Sequence, residues 1–224
     1  MDSTGARVLV YWVTETWGIQ SNEIMTMNKI YDFKVLAVYA DHLLAACGYR
    51  IDKYSLEGKW LWYVGTLEDK KYGKWAGHKL TRRLMRAEIT ALYKLEDGAM
   101  LAIAKKGFFR KEKGEQMFRK VFSTPRGSKP LNICFTKDGC AYFGEYFQNV
   151  EKAEVHVYGS EDGCRTWKVV YTFAAGNINH VHGLFLDPYT DRIWIATGDR
   201  ENECIIGWTE DGFETLHEVL MGGQ

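Results

Sequence analysis

The chain has 224 residues, 46% of them apolar, and its 29 lysines and arginines balance 29 acidic residues. A zero net charge argues against duplex nucleic acid as a partner, because backbone binding needs an excess of cationic charge. Five scattered cysteines with no C-x-x-C argue against a disulfide framework or a structural zinc site, and no apolar run approaches the ~20 residues that span a bilayer.

The opening stretch, MDSTGARVLVYWVTETW, lacks the succession of basic residues, apolar core and cleavage site that marks a signal peptide. With the unpaired cysteines, this points to a reducing cytoplasm and to no membrane partner. Residues 1–33 are read as an N-terminal segment whose RVLVYWV run, 7–13, can supply a closing strand to a ring. From residue 34 onward four hairpins follow in turn: VLAVYADHLLAACG, ITALYKLEDGAMLAIAKKG, LNICFTKDGCAYFGEYF and HGLFLDPYTDRIWIATGD. Each is a pair of apolar runs about a polar or Gly-containing turn, the strongest short-range hairpin signal.

A second hairpin follows each of these, and its turn is an eight-residue box. The boxes occupy 55–62, 111–118, 160–167 and 209–216, with starts 56, 49 and 49 residues apart. Each has Gly at the fourth place and a large apolar residue at the eighth. Four strands in about 50 residues is the size of a propeller blade. The expected fold is therefore all-β, a β-propeller of four-stranded antiparallel blades over 34–224 with four blades visible. Two accounts fit the end at Met221-Gly-Gly-Gln224: a small ring closed by the 7–13 strand, or a truncated larger propeller with bare sheet edges.

The third box, Ser160-Glu-Asp-Gly-Cys-Arg-Thr-Trp167, resembles the Asp box of the sialidase-like (BNR-repeat) propellers; the fourth is a weaker match and the first two are degenerate. With RGSKPL, YFGEYFQN, HVHGLFLDPY and IWIATGD, residues 80–224 look like a poorly characterised microbial group of such proteins. The resemblance implies a propeller and a glycan-directed role. The box itself is structural: Asp162 can accept backbone N–H bonds, Gly163 can take positive φ, and Trp167 can bury.

Strand alternation sorts the loops. The box turns and the first-hairpin turns share one face. The loops joining second to third strands, and the connections between units, share the other. The second face gathers Arg83, Arg86, Arg126, Glu145, Tyr146, Asn149, His180, His182, Asp199 and Arg200, and longer loops on a rigid scaffold are where binding groups sit. His180 and His182, spaced i and i+2, point to one side of a strand and with Glu145 and Asp199 could hold a divalent metal; the alternative is hydrogen bonding to loop carbonyls.

Glu145 and Asp199 open equivalent loops and could face each other as the carboxylate pair of a glycosidase, or else could pair with Arg83, Arg86 or Arg126. The sialidase resemblance makes Tyr146 and Glu145 a nucleophile and base, although adjacent strand residues point apart. It also makes Arg83, Arg86 and Arg126 a carboxylate clamp, with Asn149, His180, His182 and Arg200 as further substrate contacts. The F/Y-R-I-P motif of sialidases is absent. Most tryptophans are expected in the core, Trp75 excepted. Two functions stay open: a glycoside hydrolase or lyase acting on an anionic sugar, and a non-catalytic propeller that holds a carbohydrate or protein on this face.

Overall fold

The computed structural model describes residues 33–222. The expected closing strand at 7–13 lies outside the described residues. Among them are sixteen strands in four consecutive units. Unit one holds β1 (Lys34–Val38), β2 (Leu43–Cys47), β3 (Arg50–Tyr54) and β4 (Trp60–Glu68). Unit two holds β5 (Ala91–Lys94), β6 (Met100–Ala104), β7 (Gly107–Lys111) and β8 (Met117–Phe122). Unit three holds β9 (Cys134–Phe135), β10 (Ala141–Gly144), β11 (Val155–Ser160) and β12 (Lys168–Phe173), and unit four β13 (Val181–Leu186), β14 (Ile193–Thr197), β15 (Ile205–Thr209) and β16 (His217–Met221). Within each unit successive strands pair antiparallel.

Units three and four are separate four-stranded sheets. Units one and two depart from the expected separate blades. Their fourth strands, β4 and β8, pair in parallel at Thr66–Met117, Leu67–Phe118 and Glu68–Arg119, which fuses the two units into one eight-stranded sheet. The cause is length. β4 runs for nine residues, and its last two outrun the β3 register, which ends at Arg50–Thr66. Gly65 makes the approach feasible, since a Cβ there would stand 2.6 Å from the Gln116 carbonyl.

Most of the core lies between neighbouring units, and a smaller cluster of Phe33, Leu43, Ala45 and Tyr54 lies within unit one. Ile51, Ile89, Phe109 and Phe118 fill the space between units one and two. Leu101, Phe108, Ile133 and Phe143 fill that between two and three, and Val157, Leu184, Ile195 and Phe213 that between three and four. The three larger clusters each need two units to form, so adjacent units stabilise one another by burying apolar faces.

The box turns form as the spacing predicts. Gly58, Gly114, Gly163 and Gly212 all take positive φ, from 70° to 86°. In box three Asp162 Oδ1 accepts from the backbone N–H of Arg165 and of Thr166, both at 2.9 Å, and Oδ2 accepts from the Thr166 hydroxyl at 2.6 Å. Asp211 repeats this in box four, accepting from Thr215 N–H at 3.0 Å and from the Thr209 hydroxyl at 2.8 Å. The tryptophans correct the sequence expectation. Trp60 and Trp62 are 56% and 52% exposed, whereas Trp75 packs against the core of units one and two. The connection that carries Trp75 folds into α1 (Gly73–Ala76) and α2 (Lys79–Met85). No described helix is long and apolar enough to cross a membrane.

Candidate metal centre

Three segments of the second face meet between units three and four: the loop 145–154 after β10, the connection 174–180 before β13, and the loop 198–204 after β14. Backbone bonds knit them together, Val181 N–H donating to the Glu145 carbonyl at 2.9 Å and Gly198 N–H to the His180 carbonyl at 3.3 Å. Gly198 is required at its place, because its φ is +91° and a Cβ would stand 2.3 Å from the Glu203 carbonyl oxygen.

This junction brings His180, His182 and Asp199 together, with one ligand atom from each lying within 4.8 Å of the others. The Asp199 oxygens are 3.3 Å from His180 Nε2 and 3.0 Å from His182 Nε2. His182 Nε2 also contacts the Gly198 carbonyl oxygen. A hydrogen bond from Asn179 Nδ2 at 2.9 Å, reinforced by the two imidazoles, holds the Asp199 carboxyl below its ordinary range. His180 is buried, and its Nδ1 lies 3.1 Å from the Phe147 carbonyl while its Nε2 has no hydrogen-bond partner. The Tyr146 ring covers the pair, with centroids 4.3 Å from His180 and 6.1 Å from His182.

Glu145 stands apart from this cluster. Its carboxylate is taken by Arg126, whose Nε donates to Oε1 at 3.0 Å and whose Nη2 contacts Oε2, and by His156 N–H, which donates to Oε2 at 3.0 Å. Tyr146 and Glu145 therefore turn to opposite sides, the one to the imidazoles and the other to Arg126. Arg126 is occupied further, by the Glu154 carbonyl at 2.6 Å and the Phe147 ring at 4.7 Å. Arg83 is an exposed residue of α2, and Arg86 is the left-handed residue that ends it. The three arginines thus serve different local structures. Asn149 is buried and closes its own loop, exchanging two hydrogen bonds with Ala153 at 2.8 and 2.9 Å. Arg200 is exposed beside Asp199.

Two partners escape the sequence reading. Asn179, the residue before His180, orients Asp199. Lys152 reaches Glu203 across the two loops, a pairing of distant residues that no local spacing encodes. An open concavity of about 500 Å³ lies on the same rim, lined by Glu201, Asn202, Met221 and Gly222, and a second of about 220 Å³ lies on the box face, between Tyr142, Ile193 and Gly212.

No family model matches the chain, nor does any curated protein. Solved structures do. Regucalcin from Agrobacterium tumefaciens strain C58, described as a calcium-binding protein, superposes with a TM-score of 0.50 at 14% identity, over 82% of this chain and 58% of its own. YCF48 from Cyanidioschyzon merolae gives 0.50 at 12% identity, over 90% of this chain and 62% of its own. The fold is of the β-propeller type. The chain spans less than two thirds of these propellers' lengths, and at such identities the likeness concerns architecture alone. The sialidase-like resemblance accordingly rests on the box and the RGSKPL, YFGEYFQN, HVHGLFLDPY and IWIATGD runs alone, and the role of the box here is to build turns.

Proposed function

We propose that this chain is a ligand-binding propeller whose rim holds a divalent cation on His180, His182 and Asp199. The supporting observation is His180. A proton on Nδ1, donated to the Phe147 carbonyl, leaves the Nε2 lone pair aimed at a carboxylate from within a buried site. That arrangement is unfavourable until something positive lies between them, and the carbonyl contact is the outer support that metal-bound imidazoles normally have. Two imidazoles and one carboxylate suit a zinc-like or manganese-like ion better than calcium, which prefers a shell of oxygens. Three protein donors leave room for a ligand, and a cation there supplies Lewis-acid stabilisation of an oxygen on that ligand.

The ligand class that fits is anionic, an acidic sugar or a carboxylate side chain of a protein. Tyr146 and Arg200 are the neighbouring groups to contact it. Glycoside hydrolysis is the second reading, and Glu145 weakens it. The usual mechanism needs two carboxyls free to act as acid, base or nucleophile, and this one is saturated by Arg126 and His156. The test is a titration of chelator-stripped protein with Zn²⁺. One equivalent is expected in the wild type and none in His180→Ala/His182→Ala. A wild type that takes none, or a double variant that still takes one, sinks the proposal.

A further inference from the structure

We infer that the connection between units one and two docks on an anionic lipid surface. Its helix α2 is inverted. It buries Arg82, which faces Glu88 at 3.5 Å and Cys47 Sγ at 2.9 Å, while Leu80 and Leu84 stand 70% and 78% exposed. The two leucines are four residues apart, so they form one ridge on the outer side of the helix. Buried arginine and projecting leucine on the same two turns oppose what solvent alone selects.

Charge surrounds the ridge. Residues 69–88 contain seven lysines and arginines and two acids, in a chain where 29 of each cancel. Asp69 is buried and Glu88 faces Arg82, so neither neutralises the surface. Lys70, Lys71, Lys74, Arg83 and Arg86 are all exposed. Lys71 lies over the half-buried Tyr72 ring at 5.4 Å and Lys74 over Trp75 at 5.1 Å, the aromatic-and-cation pairing of chains that lie at a membrane interface.

These features favour lipid over a protein partner. A peptide needs a groove or a sheet edge to hold it, and here the apolar groups project. A fluid interface receives projecting leucines without a matching concavity, and its headgroups answer cations without fixed geometry. The contact is peripheral and independent of the cation site.

The experiment is flotation of the full chain with phosphatidylcholine vesicles, with and without phosphatidylserine. Binding is expected to the phosphatidylserine vesicles only and to weaken with salt. Leu80→Ser/Leu84→Ser and Arg83→Glu/Arg86→Glu should each lower partitioning about tenfold or more. All four side chains are exposed or surface-facing, so circular dichroism melting should be unchanged and separates lost docking from lost folding. Absence of flotation with phosphatidylserine, equal flotation with both lipids, or undiminished binding by the charge-reversed chain overturns the inference. Capture by polyglutamate without vesicle binding does so too, in favour of an acidic protein.

Discussion

Trp167 and Trp62 hold the same eighth place in their boxes, yet they meet different surroundings. Trp167 packs edge-on against Phe108 and Phe143, with centroids 5.2 and 5.1 Å away. Trp62 is half exposed, with the Lys53 ammonium 4.1 Å from its ring. The other two boxes explain the difference. Phe118 of box two is fully buried in the core between units one and two, and Leu216 of box four packs in that between units three and four. The eighth residue of a box thus packs toward the preceding unit, and among the described residues nothing precedes unit one. The box supplies the direction of the ring, and a neighbouring unit supplies its burial.

The largest expected effects follow from that contrast. Phe118→Ala should cost about 3–5 kcal/mol and Trp167→Ala about 3 kcal/mol, through lost burial and the cavity left behind. Trp62→Ala should cost less than about 1 kcal/mol, since little apolar surface is re-exposed. Urea titrations of the three variants measure this. A Trp62 variant as damaging as the Trp167 variant breaks the comparison and means that something covers the outer side of unit one.

The same asymmetry explains how much of the molecule was legible in its sequence. Boxes and hairpins report local backbone geometry, and the strands, the turn glycines and the Asp162 network follow from them. The β4–β8 pairing does not, because it depends on an overrun of two residues meeting a strand some fifty positions away. The site was half legible for a related reason. The i, i+2 spacing of His180 and His182 and the equivalence of the loops point to Asp199. Whether Glu145 would join them turned on Arg126, which approaches from the connection between units two and three and claims both oxygens.

Glu145 and Asp199 open equivalent loops of units three and four, which makes them a second comparison of regions. The Glu145 side chain is 2% exposed and paired, whereas that of Asp199 is 46% exposed. Glu145→Gln should lose about 2 kcal/mol, below the full penalty of a broken buried pair because the Arg126 side chain retains 29% exposure to water. Asp199→Asn should leave stability within about 0.5 kcal/mol and weaken Zn²⁺ binding tenfold or more. Parallel unfolding and titration curves read both quantities. The reverse result, a stable Glu145 variant with impaired cation binding, would return Glu145 to the site.

The smallest effect separates the boxes by pH. Partial burial pushes the Asp162 carboxyl up, but hydrogen bonds from Thr166, Ser160 and Arg165 outweigh it and hold the pKa at about 2 instead of 3.8. The Asp211 carboxyl is lowered too, chiefly by the Thr215 N–H. A carboxyl whose folded pKa lies below its unfolded value stabilises the fold fully above about pH 4 and loses that contribution as the pH falls toward about 2. Asp162→Asn/Asp211→Asn should therefore flatten the acid limb of the stability curve and lower its neutral plateau by about 1 kcal/mol per box. Box two carries Lys113 at the equivalent place and has no carboxyl there to protonate, so Lys113→Ala should leave the acid limb where it was. An acid limb that survives in the double Asn variant would assign the pH dependence to groups outside the box turns.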